Sequence, residues 1–241
     1  MQGIKLFRGH DRDKRRTGLY FHTMKRLAAL VLVGGIACGG GARGANSAPP
    51  PARAAEPAEH ALSGLAAQHI IVLPVYAVRV SQDLSWGPAV GRLDEYARTV
   101  DAEILSALEE RGLRKTWIFP DQLQQSYRRN SSYATDPFAL AEEPLRSPAL
   151  LLDARLPDPL ASQLRTLIAL HEDARLVLAP VELRFERHGD GGQAVLRLVL
   201  VDPRYSNVRW IGDIASEVAP AFSPALAAGV AAKLASAIAT P

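Results

Sequence analysis

The sequence predicts an α/β protein of the α+β type, built on a single mixed sheet of five strands with helices packed against it. Two observations support this fold class. Strand-length and helix-length stretches follow one another in the order β-α-β-α-α-β-β-β-α. The last three strands lie between Arg175 and Glu217 with only tight turns between them, which predicts a C-terminal antiparallel meander.

The first part of the predicted domain alternates strands and helices, beginning at Gln68. Residues 69–78 form a continuous apolar run rich in β-branched residues, which predicts one buried strand. Apolar residues then recur at spacings of three and four from Leu93 to Leu108, as expected for an amphipathic helix packed on a sheet. Residues 115–119 predict a short strand, and residues 122–129 predict a polar helix.

An irregular segment separates this part from the meander. From Asn130 to Leu150 the apolar periodicity lapses, and three prolines exclude regular structure. Irregular segments of this length are either functional or mobile. A helix is then predicted after Asp158-Pro159, because aspartate caps helix N-termini and proline is favoured in the first turn.

The meander has the clearest pattern in the chain. Apolar and charged residues alternate over residues 181–186, which predicts a strand buried on one side. The glycine-rich residues 188–192 predict a tight reversal between two strands. Residues 195–201 are apolar on both sides, so this strand is predicted to lie in the middle of the sheet. Residues 226–238 predict the last helix.

The N-terminal residues predict export from the cytoplasm. Residues 1–37 are interpreted as a signal peptide, in which Met24-Lys25-Arg26 is the basic region and residues 27–33 form the apolar core. That core is far too short to span a bilayer as a helix. Because Met24 already begins a complete signal, it is an alternative start to Met1, and residues 1–23 are then an upstream artefact.

Cys38 is the only cysteine of the chain and follows the small residues that end the apolar run. This arrangement resembles the lipobox of bacterial lipoproteins, with Gly35 at the position where that pattern prefers leucine. The resemblance implies that Cys38 is lipidated and becomes the mature N-terminus, and Gly39 after it implies sorting to the outer membrane. The alternative is an ordinary secretory signal cut near Ala42 or Ala45.

Residues 38–67 are rich in glycine, alanine and proline and lack apolar periodicity, so they are predicted to be a flexible tether. The folded domain is predicted to occupy residues 68–241. The formal net charge of +3 comes from residues 1–37, which hold eight of the 28 Lys and Arg but only two of the 25 Asp and Glu. The remainder carries a net charge of −3, which argues against nucleic acid as a partner.

Several short motifs of the domain resemble a family of bacterial envelope domains. Leu200-Val201-Asp202 stands at the end of one strand, Trp210-Ile211-Gly212 stands in the next, and residues 71–74 and 175–179 resemble two earlier strands of that family. The family includes the amino-terminal domain of TolB, the curli secretion lipoprotein CsgG, and LpoB, the lipoprotein activator of penicillin-binding proteins. The resemblance implies a small tethered envelope domain that works by contact, and it carries over no site residue.

Three aromatic residues are the candidate contacts for a partner. Trp86 lies in a Ser-Trp-Gly-Pro loop, where a large aromatic side chain has little structural reason to be. Tyr127 lies in the predicted polar helix, and Tyr133 lies at the start of the irregular segment. Aromatic side chains are enriched at the centres of protein interfaces, so these three residues predict a binding surface.

No catalytic, cofactor-binding or metal-binding residue is predicted. The densest polar cluster, His171-Glu172-Asp173, lacks the second histidine that a zinc-binding helix would provide, and it is interpreted as a helix end. The glycine-rich residues 188–192 join two strands, whereas a phosphate-binding loop presents its amides at a helix N-terminus.

These patterns predict a non-enzymatic periplasmic lipoprotein that binds or assembles another protein of the cell envelope, without a cofactor. Two alternatives stay open, an envelope hydrolase with an unrecognised site and a small-ligand carrier. A hydrolase predicts groups with perturbed pKa values in a deep pocket, and a carrier predicts a largely apolar cavity. A contact module predicts an exposed apolar patch near Trp86 and the irregular segment.

Overall fold

The structure, a computed structural model, describes residues 61–239. The predicted signal peptide, Cys38 and the tether as far as residue 60 lie outside the described residues. Within residues 61–239, no helix combines the length and apolar character needed to cross a membrane.

The described residues form six strands and five α-helices, with short 3₁₀ turns between some of them. The strands are β1 (Ile70–Val72), β2 (Val78–Val80), β3 (Trp117–Ile118), β4 (Leu176–His188), β5 (Gly191–Asp202) and β6 (Asn207–Ala215). The helices are α1 (Gly87–Val90), α2 (Leu93–Glu109), α3 (Pro120–Arg129), α4 (Leu160–Leu170) and α5 (Ala225–Ala239).

The strands make one mixed sheet in the order β3-β1-β4-β5-β6, with β2 also paired to β4. Strands β1 and β2 run parallel to β4, whereas β4, β5 and β6 form an antiparallel meander. The α+β fold class and the meander are therefore confirmed. Strand β5 lies between β4 and β6 and is largely buried, as its two-sided apolar pattern predicted.

The sheet has six strands because the apolar run 69–78 does not form a single strand. Pro74 lacks a backbone N–H, and strand β1 ends before it at Val72. On the neighbouring strand β4, the pairing register shifts between Pro180 and Glu182. Pairing with β4 then resumes at Val78, so one predicted strand becomes two short strands along the same edge of β4.

Apolar side chains fill two core layers, one on each face of the sheet. The first layer, which we name the helical face, includes side chains of α2 and α5. The second layer, the loop face, includes side chains of α3, α4 and the irregular segment before α4. The helical face also holds Leu62 and Leu65, both buried, so the packed domain begins before the predicted boundary at Gln68.

Local hydrogen bonds stabilise the start of α3 and the β5–β6 turn. Helix α3 is capped by the Gln122 side chain, which accepts a hydrogen bond from the Phe119 N–H at 3.0 Å, and it begins earlier than residue 122. In the β5–β6 turn the left-handed residue is Ser206, with φ of 53°, and Asn207 already belongs to β6. The Ser206 hydroxyl is held by the Pro203 carbonyl, which stabilises that turn locally.

Candidate functional site

Trp86 is a core residue of the helical face. Its side chain is only 8% exposed. The ring packs edge-on against Phe185 of β4, with centroids 5.9 Å apart, and against Phe222, at 6.2 Å. Tyr96 of α2 completes this aromatic cluster. The expectation that Trp86 is displayed for a partner is therefore corrected, because the loop that carries it folds back onto the sheet.

Both this tryptophan and Trp210 lie directly over a glycine of the meander. A Cβ atom on Gly192 would overlap the ring of Trp86, and a Cβ atom on Gly212 would overlap the ring of Trp210. The glycines thus allow the indoles to lie flat against the sheet. The Trp-x-Gly motif of β6 is explained by packing, and Trp210 is buried, as expected of a core residue.

The two tyrosines of the predicted contact surface belong to elements of the loop face. Tyr127, on α3, is half-buried. Tyr133 follows α3 and is 62% exposed, and its hydroxyl is within hydrogen-bond distance of the Asn130 side chain, at 2.6 Å. Since Trp86 exposes almost no surface to solvent, only these two of the three predicted contact residues are accessible to a partner.

The irregular segment is fixed to the domain although it lacks regular structure. Leu140, Leu145 and Leu156 are buried in the loop-face core. The Gln163 side chain of α4 accepts a hydrogen bond from the Ala141 N–H at 2.9 Å. Residues 153–156 exchange backbone hydrogen bonds with residues 206–208, so the segment extends the start of β6.

Between these anchors the segment displays large apolar side chains to solvent. Tyr133, Phe138, Leu151 and Leu152 are 62%, 53%, 70% and 37% exposed. We name these four side chains the loop patch. Eight large hydrophobic residues are exposed within residues 61–239, and half of them belong to this stretch of 20 residues. Contiguous exposed apolar side chains mark interaction surfaces, so these four residues, which lie within 20 residues of one another along the chain, are the candidate contact residues.

Two neighbouring carboxyl groups have raised pKa values, the half-buried Asp101 of α2 and the buried Glu142 of this segment. Asp101 of α2 accepts a hydrogen bond from the Val75 N–H at 2.7 Å, and this N–H lies in the connection between β1 and β2. Glu142 is only 1% exposed, and its Oε2 atom has no hydrogen-bond partner. Burial raises the pKa of Asp101 to about 6. Burial, followed by repulsion from Asp101, raises the pKa of Glu142 well above its usual range.

Neighbouring side chains form an ion-pair network around the same segment. Arg146 contacts Glu143 at 3.1 Å and the buried Glu182 of β4 at 2.6 Å. The Tyr76 hydroxyl donates a hydrogen bond to Glu143 at 3.3 Å. Glu143 is therefore tied into the loop face by Arg146 and Tyr76, and Glu142 beside it is buried there. Sequence pattern offers no signal for them, because their partners come from distant elements.

The helix end at His171 matches its interpretation. His171 caps the C-terminus of α4 and is half-buried, and Glu172 and Asp173 beside it are exposed. Burial lowers the pKa of His171, and its Nε2 atom has no hydrogen-bond partner. In the part of the chain that the structure describes, no group of three or more histidine, cysteine or acidic side chains is arranged to hold a metal ion.

Three clefts on the surface of the described residues lie apart from the carboxyl pair. Three open clefts have volumes of about 490 to 690 Å³. Their walls are mainly polar, and neither Asp101 nor Glu142 lines any of the three. Asp101 and Glu142 are thus separate from these three clefts. The polar walls disfavour the carrier alternative.

No family model matches the chain, and no curated protein matches it. It is similar to the solution structure of Escherichia coli LpoB, with 14% identity, a TM-score of 0.34, and coverage of 88% of this chain and 94% of that one. The C-terminal domain of Salmonella enterica LpoB gives 14% identity and a TM-score of 0.32, with coverage of 62% and 82%. The PelC dodecamer of Paraburkholderia phytofirmans gives 12% identity and a TM-score of 0.36, with coverage of 72% and 89%. Similarities this weak assign neither a family nor a function.

Proposed function

We propose that this chain is a lipid-anchored, non-enzymatic protein of the bacterial cell envelope that binds another envelope protein through the loop patch. The observation that carries the proposal is the anchored but irregular segment that exposes Tyr133, Phe138, Leu151 and Leu152. Burying such side chains against a partner removes apolar surface from water and is the main favourable term in protein association.

The anchoring of the segment supports the proposal on energetic grounds. Association costs free energy when loops and side chains must become ordered at the interface. Here the leucines at 140, 145 and 156 already fix the backbone to the core. A partner that covers the loop patch therefore needs to order little of the chain.

The cellular location is proposed from the sequence. A lipid chain on Cys38 would hold the protein at the outer membrane, and the following residues would let the domain reach into the periplasm. We expect Cys38→Ala to release the protein from membranes into the soluble periplasmic fraction. Persistent membrane association of this variant would contradict the lipid anchor, and Ser47→Ala in the tether serves as the matched control.

The binding role is tested by site-specific photo-crosslinking in intact cells. A photoreactive phenylalanine analogue at position 138 should trap a defined envelope protein, and the trapped protein should disappear when Tyr133→Ala or Leu151→Ser is added. The control places the same analogue at Leu93, which is also an exposed apolar residue but lies on α2. Equal trapping at both positions, or trapping that survives both substitutions, would contradict a contact role for the patch.

A further inference from the structure

One open cleft of about 490 Å³ lies on the helical face, next to the first described residues. Leu176, Leu200 and Trp210 contribute its less exposed wall. The exposed side chains of Arg175, Arg204 and Arg209 line the same cleft. Three arginines thus line a cleft that also has apolar walls.

Two of these three charges have no counter-ion. Asp202 contacts Arg204 at 3.1 Å, so that pair is internally balanced. Arg175 and Arg209 form no ion pair with any residue between 61 and 239. Glu172 and Asp173 lie in an adjoining cleft that shares Arg175, and both are exposed to solvent. The first cleft therefore keeps an excess of positive charge.

We propose that this cleft binds a phosphate ester, with Arg175 and Arg209 contacting the phosphate oxygens. Guanidinium groups match phosphate geometry because they donate two parallel hydrogen bonds. The volume exceeds what a bare phosphate ion needs and falls within the range of small-molecule sites. Leu176, Leu200 and Trp210 provide an apolar surface for the organic part of the ester.

Two sources can supply this chemistry, a soluble phosphate ester and an anionic phospholipid head group. The cleft lies beside Ala61, which follows Cys38 by 23 residues. A flexible chain of that length spans about 25 Å on average, so a lipid anchor would keep the cleft within reach of the membrane surface. This site is separate from the loop patch, and it does not depend on the proposed protein partner.

The test is footprinting of arginine side chains with phenylglyoxal on the full chain, resolved by mass spectrometry. The probes are glycerol 3-phosphate, vesicles of phosphatidylglycerol mixed with phosphatidylcholine, and vesicles of phosphatidylcholine alone. Arg98 of α2 is the internal control, because it is exposed and forms no ion pair among the described residues. We expect glycerol 3-phosphate to protect Arg175 and Arg209 but not Arg98.

A second measurement is the affinity for glycerol 3-phosphate by calorimetry. Arg175→Gln and Arg209→Gln should each weaken binding by about tenfold, the usual effect of losing a charge-assisted hydrogen bond. Arg98→Gln should leave the affinity unchanged, and all three variants should keep the wild-type melting temperature.

The vesicle probes distinguish the two sources. Protection by phosphatidylglycerol vesicles as well as by glycerol 3-phosphate assigns the site to lipid head groups, and protection by glycerol 3-phosphate alone assigns it to soluble esters. Protection of Arg175 and Arg209 that does not exceed that of Arg98 would overturn the proposal. Unchanged affinity in both arginine variants would do the same.

Discussion

The two faces of the sheet are built in different ways. On the helical face, the long helices α2 and α5 and a cluster of four aromatic rings form a layer of buried apolar side chains. On the loop face, two shorter helices and an irregular segment cover the sheet, and they enclose Glu142 and the Arg146–Glu182 ion pair. The loop face is also where the irregular segment displays the loop patch.

This difference separates stability from interaction. Burial of large aromatic and aliphatic side chains contributes the most to folding free energy, and the helical face concentrates it. On the loop face, the Oε2 atom of the buried Glu142 has no hydrogen-bond partner, which reduces stability, and the exposed leucines contribute little to it. Structural compromises of this kind are typical of surfaces that are kept for binding. Substitutions should therefore affect the two faces in opposite ways.

The largest effect on stability is expected for Trp86→Ala on the helical face. Removing a buried tryptophan from an aromatic cluster typically lowers the free energy of unfolding by about 3–5 kcal/mol. Chemical denaturation of the full chain measures this change. A loss smaller than about 1 kcal/mol would show that the ring is not part of the core and would restore its predicted role as a contact residue.

The next effect is expected for Gly212→Ala in β6. The added Cβ atom would overlap the Trp210 ring, and overpacking of this kind costs about 1–3 kcal/mol. Gly229→Ala in α5 is the matched control, because its Cβ atom would meet only Ser216, at 3.9 Å. Alanine is favoured over glycine inside helices, so the control should gain up to about 1 kcal/mol. Equal losses in both variants would contradict the packing explanation of the Trp-x-Gly motif.

A smaller effect is expected on the loop face, where the free energy of unfolding should depend on pH. The folded state raises the pKa of Asp101 from 3.8 to about 6, and it raises that of Glu142 as well. The folded protein therefore holds protons that the unfolded chain has released, and its stability falls as the pH rises from about 4 through 6. Tyr76, Glu143 and Arg146 are the other titratable groups beside this pair.

Glu142→Gln keeps the shape of the side chain and removes its titration. At pH 7 we expect this variant to be more stable than the wild type, with a weaker dependence of stability on pH. Glu143→Gln is the matched control, because that neighbouring acid is exposed. Denaturation curves collected between pH 4 and about 8 measure both quantities. A Glu142→Gln variant that is less stable at every pH would show that the carboxylate is needed in its charged form.

The smallest effect on stability is expected for Tyr133→Ala in the loop patch. An exposed side chain contributes within about 0.5 kcal/mol to folding, so the melting temperature should stay nearly constant. Binding of the crosslinked envelope protein should weaken by about tenfold if Tyr133 lies at the centre of the interface. A variant with normal affinity and lower stability would reverse the assignment of the two faces.

Local sequence pattern predicted the elements whose neighbours are close in the chain. Alternating residues and turn residues predicted the meander, and apolar spacing predicted α2. Both predictions succeeded because each pattern lies within a single element or between neighbouring elements. The sequence pattern did not predict that residues 69–78 are divided between two strands. The division depends both on Pro74 and on the register shift of β4, and the two lie about a hundred residues apart in the sequence.

The candidate sites were harder to predict from local sequence pattern than the strands and helices. Trp86 resembled a displayed residue because its loop is short and polar, and only the position of Phe185 and Phe222 shows that the ring is buried. The two carboxyl groups, and the two arginines of the cleft, come from segments far apart in the chain. Tyr133 is exposed, and its role as a contact residue stays a prediction.

The sequence by itself determined the class of fold, the meander, the strongest helices, and an N-terminal pattern that predicts export and lipidation. These follow from periodicity and composition, which are local. Tertiary structure alone decided which aromatic side chains are buried, which carboxyl groups are shielded from solvent, and which arginines line the same cleft. Each of these outcomes is set by contacts between distant segments, since burial and electrostatic environment depend on what the rest of the chain places nearby.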